Sequence, residues 1–464
     1  VEKNSRRRFL TTAGAASVAI LAPTLFDLSV FAAPFTRRDI GGLGAADPII
    51  TGYKTAVTAM KALPATDPRS WSYQAAIHGT YTTPTKTAWN TCEHGTYFFW
   101  SWHRMYLYYF ERIVRKYSGV YGWTLPYWNY DSPTQRQLPA PFRDAASSLF
   151  VANPNRPTVW NTGAASMTPA RVNPSAGMAI VGFTSASSSL ENTPHNHVHV
   201  DIGGWMGDPS TAAQDPVFYV HHANIDRLWN LWKAQGGGRV DPLGDNTWRN
   251  RLFTFFDENK TQVTMKGCDV LRAAEQLNYT YEGEPAQVKE YCLRILPGWV
   301  LQVRELIRWP GPPIELGPDR VSIPIELKNL RQRVMSIAES KTETLLLKLD
   351  GVEADRQPGV VWEIYAGLPP NTEPDPEGPY YVGAMSLFSA GVHGKMEHDF
   401  KPAEFSFSLD RVIPSAMRTN AQKLELTIVP SGILINGKRS QPKVASRVRI
   451  GRLSIAVETQ ATTR

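Results

Sequence analysis

A mainly helical domain followed by an all-β, sandwich-like domain is the architecture this sequence predicts, and three observations predict it. From about residue 34 to 300, apolar residues recur at helical spacing, and much of the aromatic content (14 Trp, 18 Tyr, 18 Phe) falls between Trp71 and Trp232. After about Val321 the pattern changes to short alternating segments separated by turn residues. Between the two lies Trp309-Pro-Gly-Pro-Pro313, a stiff linker signal. A length of 464 residues allows two or three domains at about 150 residues each.

Taken in order, the chain opens with Ser5-Arg6-Arg7-Arg8-Phe9-Leu10 and an Ala-rich apolar run to Ala33. This resembles a twin-arginine export signal over residues 1–33, an address with no part in the fold. It implies a periplasmic or secreted protein. Pro23 and Asp27 inside the run argue against a stable membrane span of about 20 residues, and no other stretch is a candidate. The helical domain, 34–300, contains predicted helices over Asp47–Leu63, Trp71–His78, Phe98–Tyr117 and Asp215–Lys233. In Asp47-Pro48 and Asp215-Pro216 the Asp suits an N-cap and the Pro the first helical position. Residues 139–189, rich in Pro, Ser, Ala and Asn, read as irregular connection. Residues 301–322 read as linker. In the β domain, 323–464, strands are expected over 344–349, 360–365, 404–409, 423–429 and 453–457.

Composition removes several function classes. A net charge of +7 over the whole chain makes no case for nucleic acid. Three cysteines cannot build a disulfide-stapled scaffold or a four-thiolate metal site.

Histidine placement carries the chemistry. Eight of the ten histidines fall between His78 and His222, too concentrated for ordinary packing. His195 and His199, four apart, share a face if a helix starts at Pro194 or His195. His94 and His103, nine apart, would oppose each other on one helix, which puts His94 in the loop before it. His78 ends its own helix. Within Asp215–Lys233, helical spacing allows either His221 or His222 to face inward. Imidazole-only ligation suits copper or zinc, whereas a carboxylate-bridged di-iron pair calls for Glu-x-x-His, absent before His94 and His195.

His94-x8-His103-Arg104, ending in Glu111, resembles the copper A signature of tyrosinases and polyphenol oxidases. Asp215-Pro-Val-Phe218-Tyr-Val-His-His222-Ala-Asn-Ile-Asp226 resembles the copper B signature. Trp100 departs from the usual smaller residue or Phe, a packing difference. The β domain is more loosely similar to the C-terminal domain of plant-type polyphenol oxidases. The resemblance implies a helix bundle around a dicopper centre, with two copper ions held by His78, His94 and His103 and by His195, His199 and His222. It picks His222, four residues before Asp226, and leaves His221 behind it. His197 is expected to point away, and His393 and His398 to lie on the surface.

Activity follows from the same resemblance: phenols and dioxygen as reactants, with o-hydroxylation of monophenols and oxidation of o-diphenols to o-quinones. Alternatives are a catechol or o-aminophenol oxidase, or a haemocyanin-like dioxygen carrier. Glu191 and Asn196 stand where a water-holding pair has been proposed to take the phenol proton. Cys92, two before His94, stands where some members have a thioether to the imidazole. A disulfide between Cys268 and Cys292 is possible after export. Pro209, which stands where plant catechol oxidases often place a bulky Phe, and Val200, small and uncharged after His199, suggest an open mouth. The β domain reads as a lid, a substrate-shaping wall or a binding module. As a lid it would present Phe388, Val392 or Met396.

Overall fold

The computed structural model describes residues 34–285 except 84, and 299–462 except 341, 356–357, 389–401, 418–421 and 445; the side chains of 299–301 and 460–462 are outside that description. The expected export signal, Val392, Met396, His393, His398 and Cys292 all lie outside the described residues. Among the described residues no helix is long and apolar enough to cross a membrane.

Local chemistry sets the helices of the first domain. Pro48–Ala62 begins where the Asp47 carboxylate accepts a hydrogen bond from the Ile49 N–H, with Pro48 in the first turn. Ser70 caps Trp71–His78 through the Tyr73 N–H. Phe99–Ser118 ends at Gly119, whose φ of 69° is the left-handed conformation that stops a helix. Val217–Ala234 starts against the Asp215 carboxylate, which accepts from the Val217 N–H and is paired with buried Arg156.

Phe99–Ser118 and Val217–Ala234 cross in the core, where Trp100 stacks on Trp229 (5.8 Å between centroids, 10° between planes) and abuts Trp232 and Phe183. The unusual Trp100 therefore fills a cage of large rings. A buried ionic knot ties the same two helices together. The Asp226 carboxylate accepts from Arg104 Nε (2.5 Å), Arg37 Nη1 (3.1 Å) and the hydroxyls of Tyr279 and Tyr281 (2.6 Å each). Arg37 also donates to Glu111 at 2.7 Å. Burial would raise the Asp226 carboxyl, but Arg104 and then Arg37 outweigh it and hold it below the usual carboxylate range. Arg37 arrives on a short strand, Phe35–Arg37, that pairs in parallel with Tyr279–Tyr281.

Two expectations need correction. The 139–189 stretch contains a helix, Phe183–Leu190, besides its short turns. Its Thr/Ser-rich face hides the helical pattern. The expected linker 301–322 is largely strand: Trp299–Arg308 and Ile314–Leu316 both pair with Val448–Thr462. Trp309–Pro313 only interrupts the ladder, since proline lacks the N–H that a ladder needs.

Among the described residues, two antiparallel sheets make up the body of the second domain. One runs Tyr381–Ser386, Val361–Ala366, Lys423–Ser431, Val321–Glu326; the other runs Ala403–Ser408, Glu343–Ala354, Val448–Thr462, Trp299–Arg308. Alternate residues of both, including Leu347, Leu349, Trp362, Ile364, Leu426 and Ile455, form one apolar cluster. The domain docks on the first through mixed contacts: Leu434–Ile435 pairs with Ala165–Ser166, and buried Arg171 bridges Asp201 (2.6 Å) and Glu363 (3.3 Å).

Candidate metal centre

Two groups of histidines meet in the core of the first domain. His78, His94 and His103 offer ring nitrogens within 4.8 Å of one another, as do His195, His199, His221 and His222. His78 closes the Trp71–His78 helix, His94 lies in the loop before Phe99–Ser118, and His103 sits on that helix, as expected. His195 and His199 differ in detail. A π-type turn, Glu191–Asn196, carries His195, and the short helix His197–Ile202 carries His199. Their rings still come to 4.6 Å.

The outer nitrogens fix the rings. His78 Nδ1 bonds to the Pro209 carbonyl (2.9 Å), His103 Nδ1 to the Phe99 carbonyl (2.8 Å) and His199 Nδ1 to the Met206 carbonyl (2.8 Å). A carbonyl only accepts, so these three Nδ1 atoms carry the proton and Nε2 keeps its lone pair. His195 Nδ1 faces the Asn196 side-chain oxygen at 2.8 Å. The inner Nε2 atoms of His78, His94, His103 and His195 are buried without a hydrogen-bond partner. His199 Nε2 and His222 Nε2 face each other at 3.2 Å. Burial pushes His78 down to about 4, the Pro209 carbonyl opposing, and holds His94, His103, His195, His199 and His222 well below the ordinary imidazole value. Neutral rings with inward lone pairs and tied outer nitrogens are what metal ligation requires.

His197 is outside both groups, with Nδ1 at 3.2 Å from the Arg171 carbonyl. His221 is inside the second group, its ring 5.3 Å from His195. Geometry alone thus leaves His221 and His222 together, as the helical spacing did.

Glu191 is buried, and one oxygen accepts from the Gly95 N–H at 2.7 Å, tying the His195 turn to the His94 loop. Cys92 Sγ lies 3.5 Å from His94 Nδ1. Burial, then Glu93 and Glu191, push its thiol up strongly. Cys268 is disulfide-bonded. Pro209 sits behind His78 through its carbonyl, and Val200 packs towards Tyr365 and Tyr381 of the β domain. The group over the ligands is Phe388, stacked on His199 at 3.8 Å and 9°, and edge-on to His94 with 5.6 Å between ring centroids.

Sequence reasoning missed the carbonyls of Phe99, Met206 and Pro209, because a backbone group leaves no signature in residue type. It also missed Asn192, whose amide donates to the Ala384 carbonyl at 2.5 Å, and Ser386, whose hydroxyl donates to the Asn196 carbonyl at 3.2 Å. Their complementarity becomes visible only once the domains meet.

A helical domain holding two facing sets of neutral imidazoles, with a β domain against them, defines a dinuclear metalloprotein. Comparison shows what the chain is similar to. Residues 68–174 and 145–235 match the common central domain of tyrosinase, and 243–291 match the polyphenol oxidase middle domain. A tyrosinase from Hahella sp. (strain CCB-MM4) is 38% identical over 297 residues, 53% of this chain and 63% of that protein. The latent form of a chloroplastic polyphenol oxidase from Prunus armeniaca is 32% identical over 283 residues, 51% of this chain and 47% of that one. The chain thus spans about half to two thirds of the length of these curated relatives. In fold it is similar to latent apple tyrosinase, with a TM-score of 0.65 at 23% identity, covering 94% of this chain and 99% of that one. Residues 68–235 form a tyrosinase-type central domain, and the cofactor its histidines fit is the dinuclear copper of that family.

Proposed function

We propose that the chain is an exported, copper-dependent phenol oxidase that o-hydroxylates monophenols and oxidises o-diphenols to o-quinones, kept latent by its sandwich-like β domain. The observation that carries this reading is the convergence of neutral imidazoles from both halves of the cluster, with His78, His103, His195 and His199 tied at their outer nitrogens. His78, His94 and His103 hold one copper; His195, His199 and His222 hold the other. His221 is read as a neighbour stacked behind His195.

When bound, the copper pair supplies the two-centre redox chemistry that reduces dioxygen. The residues around it position the phenol and handle its proton. A free phenol has a pKa of about 10, so at neutral pH the proton must be taken from it. Glu191 brings a buried carboxylate to the turn that carries His195, and Asn196 on the same turn offers its amide. A water held between the two takes the proton. Asn196 also accepts from His195, so one side chain serves both the ligand and the substrate. The nearness of Cys92 to the His94 ring supports a thioether that restrains this ligand loop. A Cys92 peptide lighter by two hydrogens would support it; an alkylatable thiol would exclude it.

Phe388 fills the place of a substrate ring, and this supports latency. Val200, packed against the β domain, comes to the rim when that domain moves, whereas Pro209 stays on the outer side of His78. The position of Pro209 behind His78 also favours a second reading, catechol oxidation without monophenol hydroxylation. Oxygen uptake by copper-loaded protein, with a monophenol and its matching catechol, decides between them. Uptake with both, rising after limited proteolysis, is expected. Catechol-only uptake in the trimmed protein would sink the roles given to Glu191 and Asn196.

A further inference from the structure

At the seam between the two domains lies a cavity of about 430 Å³, within the size range of small-molecule sites. Both domains build it: Arg136, Ala170 and Thr193 come from the helical domain, and Tyr381, Phe407 and Arg411 from the β domain. Its wall carries donors that lack acceptors. Arg136 Nε and the Tyr381 hydroxyl are buried and make no hydrogen bond among the described residues, although a buried donor is ordinarily satisfied. The exposed Arg411 donates one N–H to the Tyr381 carbonyl at 3.1 Å. Neither arginine forms an ion pair among the described residues. Three carboxylates share the wall. Asp131 and Glu377 are exposed, and Asp410 already accepts from the Leu345 N–H (2.9 Å) and the Ser408 hydroxyl (3.2 Å). Ala170 and Phe407 supply apolar surface beside these groups. The buried groups left over are donors, one of them cationic, so they call for an anionic acceptor on an apolar body.

We infer that this cavity binds a small organic carboxylate through Arg136, Tyr381 and Arg411, and that the bound acid clamps the two domains together. A ligand that touches both domains binds their docked arrangement and not the separated one, so it shifts the balance toward docking. The cavity also adjoins the support of the metal centre. Thr193 belongs to the Glu191–Asn196 turn that carries His195, and Tyr381 opens the strand whose Ala384 and Ser386 hold that turn. The clamp therefore acts from outside the histidines and needs no contact with a metal.

The test is titration calorimetry on the copper-loaded full chain with three matched probes: cyclohexanecarboxylate, cyclohexylmethanol and cyclohexylmethylamine. Only the carboxylate is expected to bind, at one per chain. Arg136→Gln should weaken it about 10–100-fold, the loss of a hydrogen bond to a charged group, and Tyr381→Phe should weaken it while keeping the ring. With the carboxylate bound, amide hydrogen exchange should slow in both Tyr381–Ser386 and the Glu191–Asn196 turn. Equal binding of the alcohol or the amine overturns the inference, as does no binding at all. Carboxylate binding that survives both substitutions, or that leaves exchange in the two segments unchanged, overturns it too. If Arg136→Gln does not fold, Arg411→Gln takes its place. None of these readouts uses phenol oxidation, so the site can fail while the proposed function stands, and the reverse.

Discussion

His78, His94 and His103 take their outer contacts from the helical domain alone: the Pro209 carbonyl, the Cys92 sulfur and the Phe99 carbonyl. The other half is built differently. His195 leans on the Asn196 side chain, its turn is hydrogen-bonded through Asn192 and Asn196 to Ala384 and Ser386, and His199 lies under Phe388. The outer ties of the first half therefore belong to one domain, with Phe388 touching only the His94 ring, and those of the second are shared between two. Displacing the β domain should leave the first half unchanged and loosen the second. The β domain thus touches the second half in two places, with the strand Tyr381–Ser386 gripping the turn that carries His195 and Phe388, two residues past that strand, lying over His199.

Removing a ligand separates the halves most sharply. His103→Ala and His199→Ala should each abolish oxidation, and metal analysis should find one copper where the parent holds two. The ionic knot comes next. Breaking one partner of a buried ion pair typically costs about 3–5 kcal/mol, so Arg104→Met should lower the unfolding midpoint strongly and cost both coppers, since Arg104 and Asp226 join the two ligand helices. A retained pair of coppers would show the halves to be independent of the knot. Phe388→Ala should raise activity without added protease. If the mouth is closed about 99% of the time, the gain is about 100-fold, and unchanged activity would leave the Asn192 and Ser386 contacts as the true lock. Asn196→Ala removes the outer partner of a ligand, for which about 10–100-fold weaker metal binding is expected. Copper titration should show that loss in the second half only.

The smallest effect concerns the stability of the β domain. Burial pushes the Asp410 carboxyl up to about 6, against hydrogen bonds from Leu345 N–H and Ser408. Its unfolded value is about 3.9. The folded state thus binds the proton more tightly, so this group's contribution is complete below about pH 4 and is lost as pH rises through about 6. Denaturant unfolding of the β domain should weaken over that window, and Asp410→Asn should flatten the trend.

Legibility followed locality. Trp71–His78, the loop position of His94 and the two long helices depend on neighbours within a few residues, and spacing and caps reveal them. Trp299–Arg308 escaped because its partner strand, Val448–Thr462, is about 150 residues away and a linker-like Pro-Gly-Pro-Pro follows it. The Glu191–Asn196 turn escaped because proline and asparagine suggest a helix start, and the two His spacings fit either geometry. Arg37 had no pattern at all, since a single arginine reaching a distant carboxylate leaves no periodicity. Phe388 was legible only as one of three candidates on a segment, and its stacking needed the docked domains.

The loop from Gly204 to Ser210 turns one ligand of each half with two backbone oxygens, those of Met206 and Pro209. It acts as a crossbar between the metals, and a carbonyl is supplied by any amino acid. Apart from Gly204, whose φ of 55° and nearness to the Asn155 carbonyl leave no room for a side chain, and the buried Met206, evolution is then free to rewrite its letters while holding its length: point changes there should be tolerated well, and a one-residue insertion or deletion should misalign both metals together.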